Sequence, residues 1–204
     1  MQREKRAMIL IISGPSGVGK STIVDKLLKR DMLVHLSISF TTRDPRAGEI
    51  DGEHYHFITH DRFDQLLKNG EILEYTKVTN NYYGTAKKDV DHHLASGKDL
   101  IFCINSDGYY KMLDLYPKET IGIFILPPSK EILMNRLYQR MNHTKETESQ
   151  ISERCSIIDQ DLLHYNRYHY SIINDELEEA IDRLCNIIQS ERMTRYKDYE
   201  SNKE

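Results

Sequence analysis

Short apolar runs alternate with helical periodicity along most of the chain. Residues 8–13 form a β-type run that ends in a glycine-rich turn. The stretch Lys20–Arg30 then puts Ile23, Val24, Leu27 and Leu28 on one helical face. Three further runs, around 36–39, 100–104 and 121–126, have the near-continuous apolar character of strands buried on both sides. Helical patterns near 106–116, 129–141 and 150–166 separate or follow them. Tyr170–Ile173 reads as a last strand, after which Leu177, Ala180, Ile181, Leu184, Ile187 and Ile188 recur at helical spacing. This alternation predicts an α/β fold, a parallel sheet flanked by helices on both faces.

Two segments break the pattern. Residues 41–85 offer strand candidates at 54–58 and Ile72–Val78, the turn-forming pair Asn80-Asn81 and a short helix at 61–69, which together predict a small, mostly β insert. Residues 141–150 are polar and suit a mobile lid. The expected organisation is one domain over 1–204, with its core at 7–40, 86–140 and 150–192, the insert at 41–85 and the lid at 141–150. A charged tail, 191–204, is expected to fray.

Composition narrows the function. The 204 residues carry 28 Lys+Arg against 32 Asp+Glu, a net charge of −4, so no global field draws in nucleic acid or anionic membranes. An anion must be held by a local site. Three widely spaced cysteines (Cys103, Cys155 and Cys185) form no CxxC pair, and the apolar run near the start is too short for a signal peptide or a span. The expected compartment is the cytoplasm.

The sharpest chemical signal is Gly14-Pro15-Ser16-Gly17-Val18-Gly19-Lys20-Ser21, followed by Thr22, which satisfies G-x-x-x-x-G-K-[ST] between a strand and a helix. Glycines let consecutive N–H groups curl inward onto phosphate oxygens, and the helix N-terminus adds partial positive charge. Lys20 is placed to reach the β- and γ-phosphates, and the Ser21 hydroxyl to ligate Mg²⁺. A dinucleotide fingerprint fails here, because Gly17-Val18-Gly19 is followed by Lys20, Ser21 and Thr22. The loop names ATP or GTP but not the reaction, since GTPases, ATPases and small-molecule kinases share it.

A second signal is the pair Arg43 and Arg46, three apart around Pro45 in a loop leaving a strand. Proline stiffens that segment, and two forked guanidinia held this way suit a phosphomonoester dianion. From here the chain resembles the guanylate kinase family of P-loop nucleoside monophosphate kinases. The matching pieces are GPSGVGKST (14–22), SISFTTRDPRAGEIDGEHYHF (37–57), ILEYTKVTNNYYGT (72–85), Pro127-Pro128-Ser129 and IINDELEEA (172–180), in family order and over nearly the whole chain. The resemblance implies that loop 14–22 binds ATP with Mg²⁺ and that the insert binds GMP. It also implies that Arg43, Arg46, Tyr55 and Tyr83 grip the GMP phosphate while Ser39, Glu74 and Thr85 read the guanine. Chemistry supports Glu74 independently, because a carboxylate can accept from both the N1–H and the 2-amino group of guanine, and adenine has no N1–H. The same resemblance makes Arg136, Arg140 and Arg154 the arginines delivered to ATP, with Met141 standing where a glycine is usual.

The chain also departs from the family, which normally carries carboxylates at the positions of Cys103 and Asn105, and an aspartate where His169 stands. Cys103 is a poor partner for Mg²⁺, and Asn105 keeps an acceptor oxygen but loses the charge. Asp107 is the acid nearest to hand. The departure predicts a weakened or retuned enzyme. The expected reaction is γ-phosphoryl transfer from ATP to GMP. Two rivals stand beside it: a nucleotide- or protein-binding module of the same fold, and a kinase for another nucleoside monophosphate.

Overall fold

The computed structural model describes residues 7–46, 48–78, 80–141 and 147–201, and the side chains of 140, 141, 150 and 196–201 lie outside the described set. In chain order the elements are β1 (Ile9–Ser13), α1 (Lys20–Arg30), β2 (Val34–Leu36), β3 (Phe40–Thr41), β4 (His56–Phe57), α2 (His60–Lys68), β5 (Ile72–Val78), β6 (Asn81–Ala86) and α3 (Lys87–Ala95). They continue with β7 (Asp99–Cys103), α4 (Ser106–Leu115), β8 (Thr120–Leu126), α5 (Lys130–Met141), α6 (Glu148–Ser156), α7 (Ile158–Leu162), a 3₁₀ turn (Tyr165–Arg167), β9 (Tyr170–Ile173) and α8 (Leu177–Ser201).

The main sheet has the order β2-β7-β1-β8-β9, and every pairing is parallel. Central β1 explains why its sequence is apolar without interruption. Leu10 and Ile12 face one layer with Ile23 and Leu27 of α1, Leu133 and Leu137 of α5, and Ile181 and Leu184 of α8. Ile9 and Ile11 face the opposite layer with Val90 of α3 and Tyr109 and Met112 of α4. Alternate side chains of one strand therefore enter two separate cores, as a sheet covered on both faces requires.

The insert has its own four-stranded sheet, β4-β3-β6-β5, in which β3 pairs antiparallel with β6 and parallel with β4. Phe63, Leu66 and Ile72 form its small core. Within the β5–β6 hairpin the register shifts between Ile72 and Tyr75: Ile72 faces Ala86 and Tyr75 faces Gly84, so β5 carries one residue more than its partner across this interval. This is a β-bulge.

Several boundaries differ from expectation. The edge strand is Val34–Leu36 and not 36–39, because its register against β7 runs from Val34↔Asp99 to Leu36↔Ile101. Helix α3 and strand β6 carried no clear signal in the sequence. The single helix expected at 150–166 is broken into α6, α7 and the 3₁₀ turn. Residues 142–146 of the expected lid lie outside the described residues. The C-terminal helix does not stop near 190, and Arg192 within it bonds Asp31 and Asp99.

Candidate active site

The loop after β1 lies at the C-terminal edge of the parallel sheet, where open α/β sheets place their ligands. Its shape depends on residues without Cβ. Gly14 has φ 141°, and a Cβ there would sit 2.4 Å from the Ile125 carbonyl oxygen. Gly19 caps α1 at φ 100°, and its Cβ would sit 2.5 Å from Asn174 Nδ2. No L side chain fits either place without strain. Lys20 Nζ donates to the carbonyls of Gly14 (2.7 Å) and Pro15 (3.0 Å), so the ammonium lies against the loop it opens from. Ser21 and Thr22 are exposed at the start of α1.

Of the three expected ATP-side arginines, one bonds this loop directly and a second bonds Asn174, the residue that holds it. Arg154 of α6 donates through Nη1 to Ser16 Oγ at 3.1 Å. Arg136 of α5 donates through Nη1 to the Asn174 carbonyl at 3.2 Å. The side chain of Arg140 lies outside the described residues. Asn174, just beyond β9, is a residue the sequence reading passed over although it falls within the quoted IINDELEEA. It is buried, its Nδ2 donates to the Val18 carbonyl at 2.8 Å, and its own N–H donates to Leu126 at 2.8 Å. The loop is thus tied to the far side of the sheet by one amide side chain.

In the insert, Arg43 makes a forked pair with Glu49: Nη1 to Oε2 and Nη2 to Oε1, both 2.6 Å. Its guanidinium also lies over the rings of Tyr55 (5.0 Å) and Phe57 (5.5 Å). The hydrogen bond from Arg43 holds the Glu49 carboxyl down to about 2, although burial pushes the other way. Glu49 also accepts from the Arg46 backbone N–H at 2.7 Å, so one carboxylate organises both arginine positions. The spacing Arg43, Arg46, Glu49 was the signal available for it. Tyr55 and Tyr83 meet edge to face at 5.9 Å, and burial raises the Tyr55 hydroxyl, which stays a neutral donor. The Arg46 side chain is exposed.

Glu74 lies within the bulged stretch of β5. It is buried, and Oε1 accepts from the Thr85 hydroxyl at 2.5 Å. Burial raises its pKa while the Thr85 bond opposes the shift. A carboxylate kept in such a place costs stability at neutral pH. Ser39 is half-buried beside β3, its carbonyl accepting from the His56 N–H at 2.9 Å.

The unusual positions have definite places. Cys103 ends β7 with exposed surface, yet the protein crowded around its thiol pushes it up to about 11, with Lys20 acting in the opposite direction. It is a neutral thiol at physiological pH. Asn105 caps α4: its Oδ1 accepts from Gly108 N–H at 3.1 Å and its Nδ2 donates to Thr76 Oγ1 at 2.9 Å. Asp107 is exposed in the first turn of α4. His169 is structural, since its Nδ1 accepts from the Gly122 N–H at 3.0 Å and lies 3.3 Å from the Tyr109 hydroxyl. Among the described residues no helix is long and apolar enough to cross a membrane.

Comparison with known proteins places this geometry in a family. A family model described as guanylate kinase matches residues 6–191. The guanylate kinase of Nitrosospira multiformis is 42% identical over 185 residues, covering 91% of this chain and 86% of that protein. That of Clostridium tetani is 40% identical over 196 residues, covering 95% and 92%. The crystal structure of guanylate kinase from Anaplasma phagocytophilum superposes with a TM-score of 0.76 at 31% identity, covering 93% of this chain and 88% of that one. An intact phosphate loop on a parallel sheet, an arginine-bearing β insert and similarity along nearly the whole length have one common explanation: the chain belongs to the guanylate kinase family.

Proposed function

We propose that the chain transfers the γ-phosphoryl group of ATP to GMP, giving ADP and GDP. The observation that carries the reading is the presence, in one chain, of an intact lysine-bearing phosphate loop and a separate insert that holds both a pair of arginines and a buried carboxylate, Glu74. In this reading loop 14–22 holds ATP, and Lys20 exchanges its two carbonyl bonds for β- and γ-phosphate oxygens. Arg154, already bonded to Ser16 of the loop, and Arg136, bonded to neighbouring Asn174, neutralise charge on the transferred group. Arg140 is assigned to the same task by the family pattern alone. Arg43, Arg46, Tyr55 and Tyr83 hold the GMP phosphate; Ser39, Glu74 and Thr85 select guanine. The insert, 41–85, is then the acceptor module of a single 1–204 domain.

A phosphate oxygen of GMP is the nucleophile. Its second pKa is about 6, so it is largely ionised at pH 7 and needs no general base. Attack forms the new O–P bond as the bond from Pγ to the β–γ bridging oxygen breaks, and ADP leaves. What the protein supplies is alignment of two anions and positive charge around the group in flight.

No three His, Cys, Asp or Glu side chains cluster to hold a metal among the described residues. The exposed Ser21 hydroxyl beside Lys20 fits a Mg²⁺ that is held mainly by phosphate oxygens and water. Bound Mg²⁺ would neutralise phosphate charge. Loss of the family's carboxylates at 103 and 105 removes partners of its water shell, a change that typically costs about 10–100-fold in affinity or rate.

The test is a coupled ADP-release assay with Mg·ATP and GMP, dGMP, AMP or UMP, beside a Lys20→Ala control. GMP-dependent release well above the control is expected. Release no greater than the control refutes the enzyme reading, and faster turnover of AMP or UMP refutes the choice of acceptor.

A further inference from the structure

Glu74 and Thr76, two residues apart on β5, both meet the first turn of α4. Thr76 receives the Asn105 side chain, whose other end caps that turn. Glu74 comes up against Gly108. A Cβ built on Gly108 would lie 2.8 Å from Glu74 Oε2, 3.0 Å from Ile104 Cδ1 and 3.3 Å from Ile104 Cβ. Gly108 is buried, and it lies inside α4, where glycine is a weak helix former and alanine a strong one. The chain therefore carries the poorer helix former at the point where a methyl group would collide with the carboxylate.

We propose that Gly108 is a positioning residue for base recognition. Its bare Cα leaves the space the Glu74 carboxylate fills, so the first turn of α4, tied to β5 by Asn105, sets where that carboxylate stands. The inference deepens the proposed function and rests on its reading that Glu74 accepts from guanine. The colliding atom lies at the far end of a flexible side chain, so an added methyl would displace the carboxylate before it disturbed the backbone. Thr85 bonds the other oxygen of Glu74, which leaves the displaced group few alternative positions. Gly108 thus acts on selectivity without touching the nucleotide.

The experiment uses the full chain and steady-state kinetics with GMP and with IMP, which keeps N1–H but lacks the 2-amino group. Gly108→Ala is expected to raise the KM for GMP about tenfold or more, the scale of a lost hydrogen bond to a charged group. The preference for GMP over IMP should shrink and the KM for ATP should stay put. Adding Glu74→Asp to Gly108→Ala shortens the carboxylate side chain by one methylene and should recover part of the preference. Glu74→Gln is the reference variant. If Glu74→Gln raises the GMP KM while Gly108→Ala leaves KM and preference unchanged, the positioning role is wrong and the reading of Glu74 stands. If Glu74→Gln has no effect, that reading falls and the inference falls with it. Equal losses for GMP, IMP and ATP in Gly108→Ala would mean general distortion and overturn the proposal. Should Gly108→Ala fail to fold, Gly108→Ala/Glu74→Ala decides: restored folding supports a space reserved for the carboxylate, and continued failure refutes it.

Discussion

Glu49 carries more of the acceptor site than its place in a loop suggests. Its two oxygens take both outer nitrogens of Arg43, and one of them also takes the Arg46 N–H. Both side chains of the pair are largely withdrawn from solvent, at 11% and 17% exposure, so screening weakens the pair less than it would a surface one. Glu49→Gln should raise the KM for GMP about tenfold with little effect on ATP, on the scale of one charge-assisted bond. The same pair has a pH signature. Because the Glu49 carboxyl is held down to about 2, its stabilisation is complete above the ordinary carboxylate range and is lost as pH falls toward that value. Urea melts should therefore show wild type about 1–2 kcal/mol more stable than Glu49→Gln at pH 7, with the gap closing between pH 5 and 2. The phosphate loop was legible in the sequence because its chemistry is contiguous. Glu49 was legible only in hindsight, and Asn174 bonds Val18 from 156 positions away, a distance no local pattern spans.

At the scale of elements, the strands that carry a run of apolar and β-branched residues were the most readable, whether buried throughout like β1 or of mixed exposure like β5 and β9. β5 and β9 stand where the apolar pattern put them, and β1 lies within its predicted run. Helix α3 was not readable, because among its nine residues only Val90 is buried and the remainder (KKD, then DHHLA) show no apolar stripe. Tertiary context holds it: Val90 packs under β7 with Leu100 and Phe102. The break between α6 and α7 was equally hidden, since Ile157 and Leu163 sustain an apolar rhythm on paper and yet are exposed. The linkage from β9 to the phosphate loop is the element-scale contact most open to trial. Asn174→Ala would leave the buried Val18 carbonyl without its partner, at about 1–3 kcal/mol. Thermal melts should fall by roughly 2–4 °C per kcal/mol for a chain of this size. The KM for ATP should rise more than that for GMP.

Across the whole molecule, the last helix closes the fold from behind. Arg192 of α8 bonds Asp31 after α1 and Asp99 at the start of β7, and Asp99, fully buried, also accepts from the Met8 N–H. Arg192→Met should cost about 3–5 kcal/mol by stranding a buried carboxylate. Pairing it with Asp99→Asn should return much of that, as read from denaturant midpoints. This staple anchors the last helix at the point where the charged segment begins. The main sheet, with two full layers of apolar side chains and this staple, contrasts with the insert, where short strands and one nine-residue helix share a core of three buried side chains. So small a core opens locally at a lower free energy than the rest. Under the proposed activity, GMP bound among Arg43, Arg46, Tyr55 and Glu74 would add about 2.7 kcal/mol of resistance to that opening at a hundredfold excess over Kd. The acceptor nucleotide then steadies the module that recognises it, and local opening of the insert is linked to whether its site is occupied.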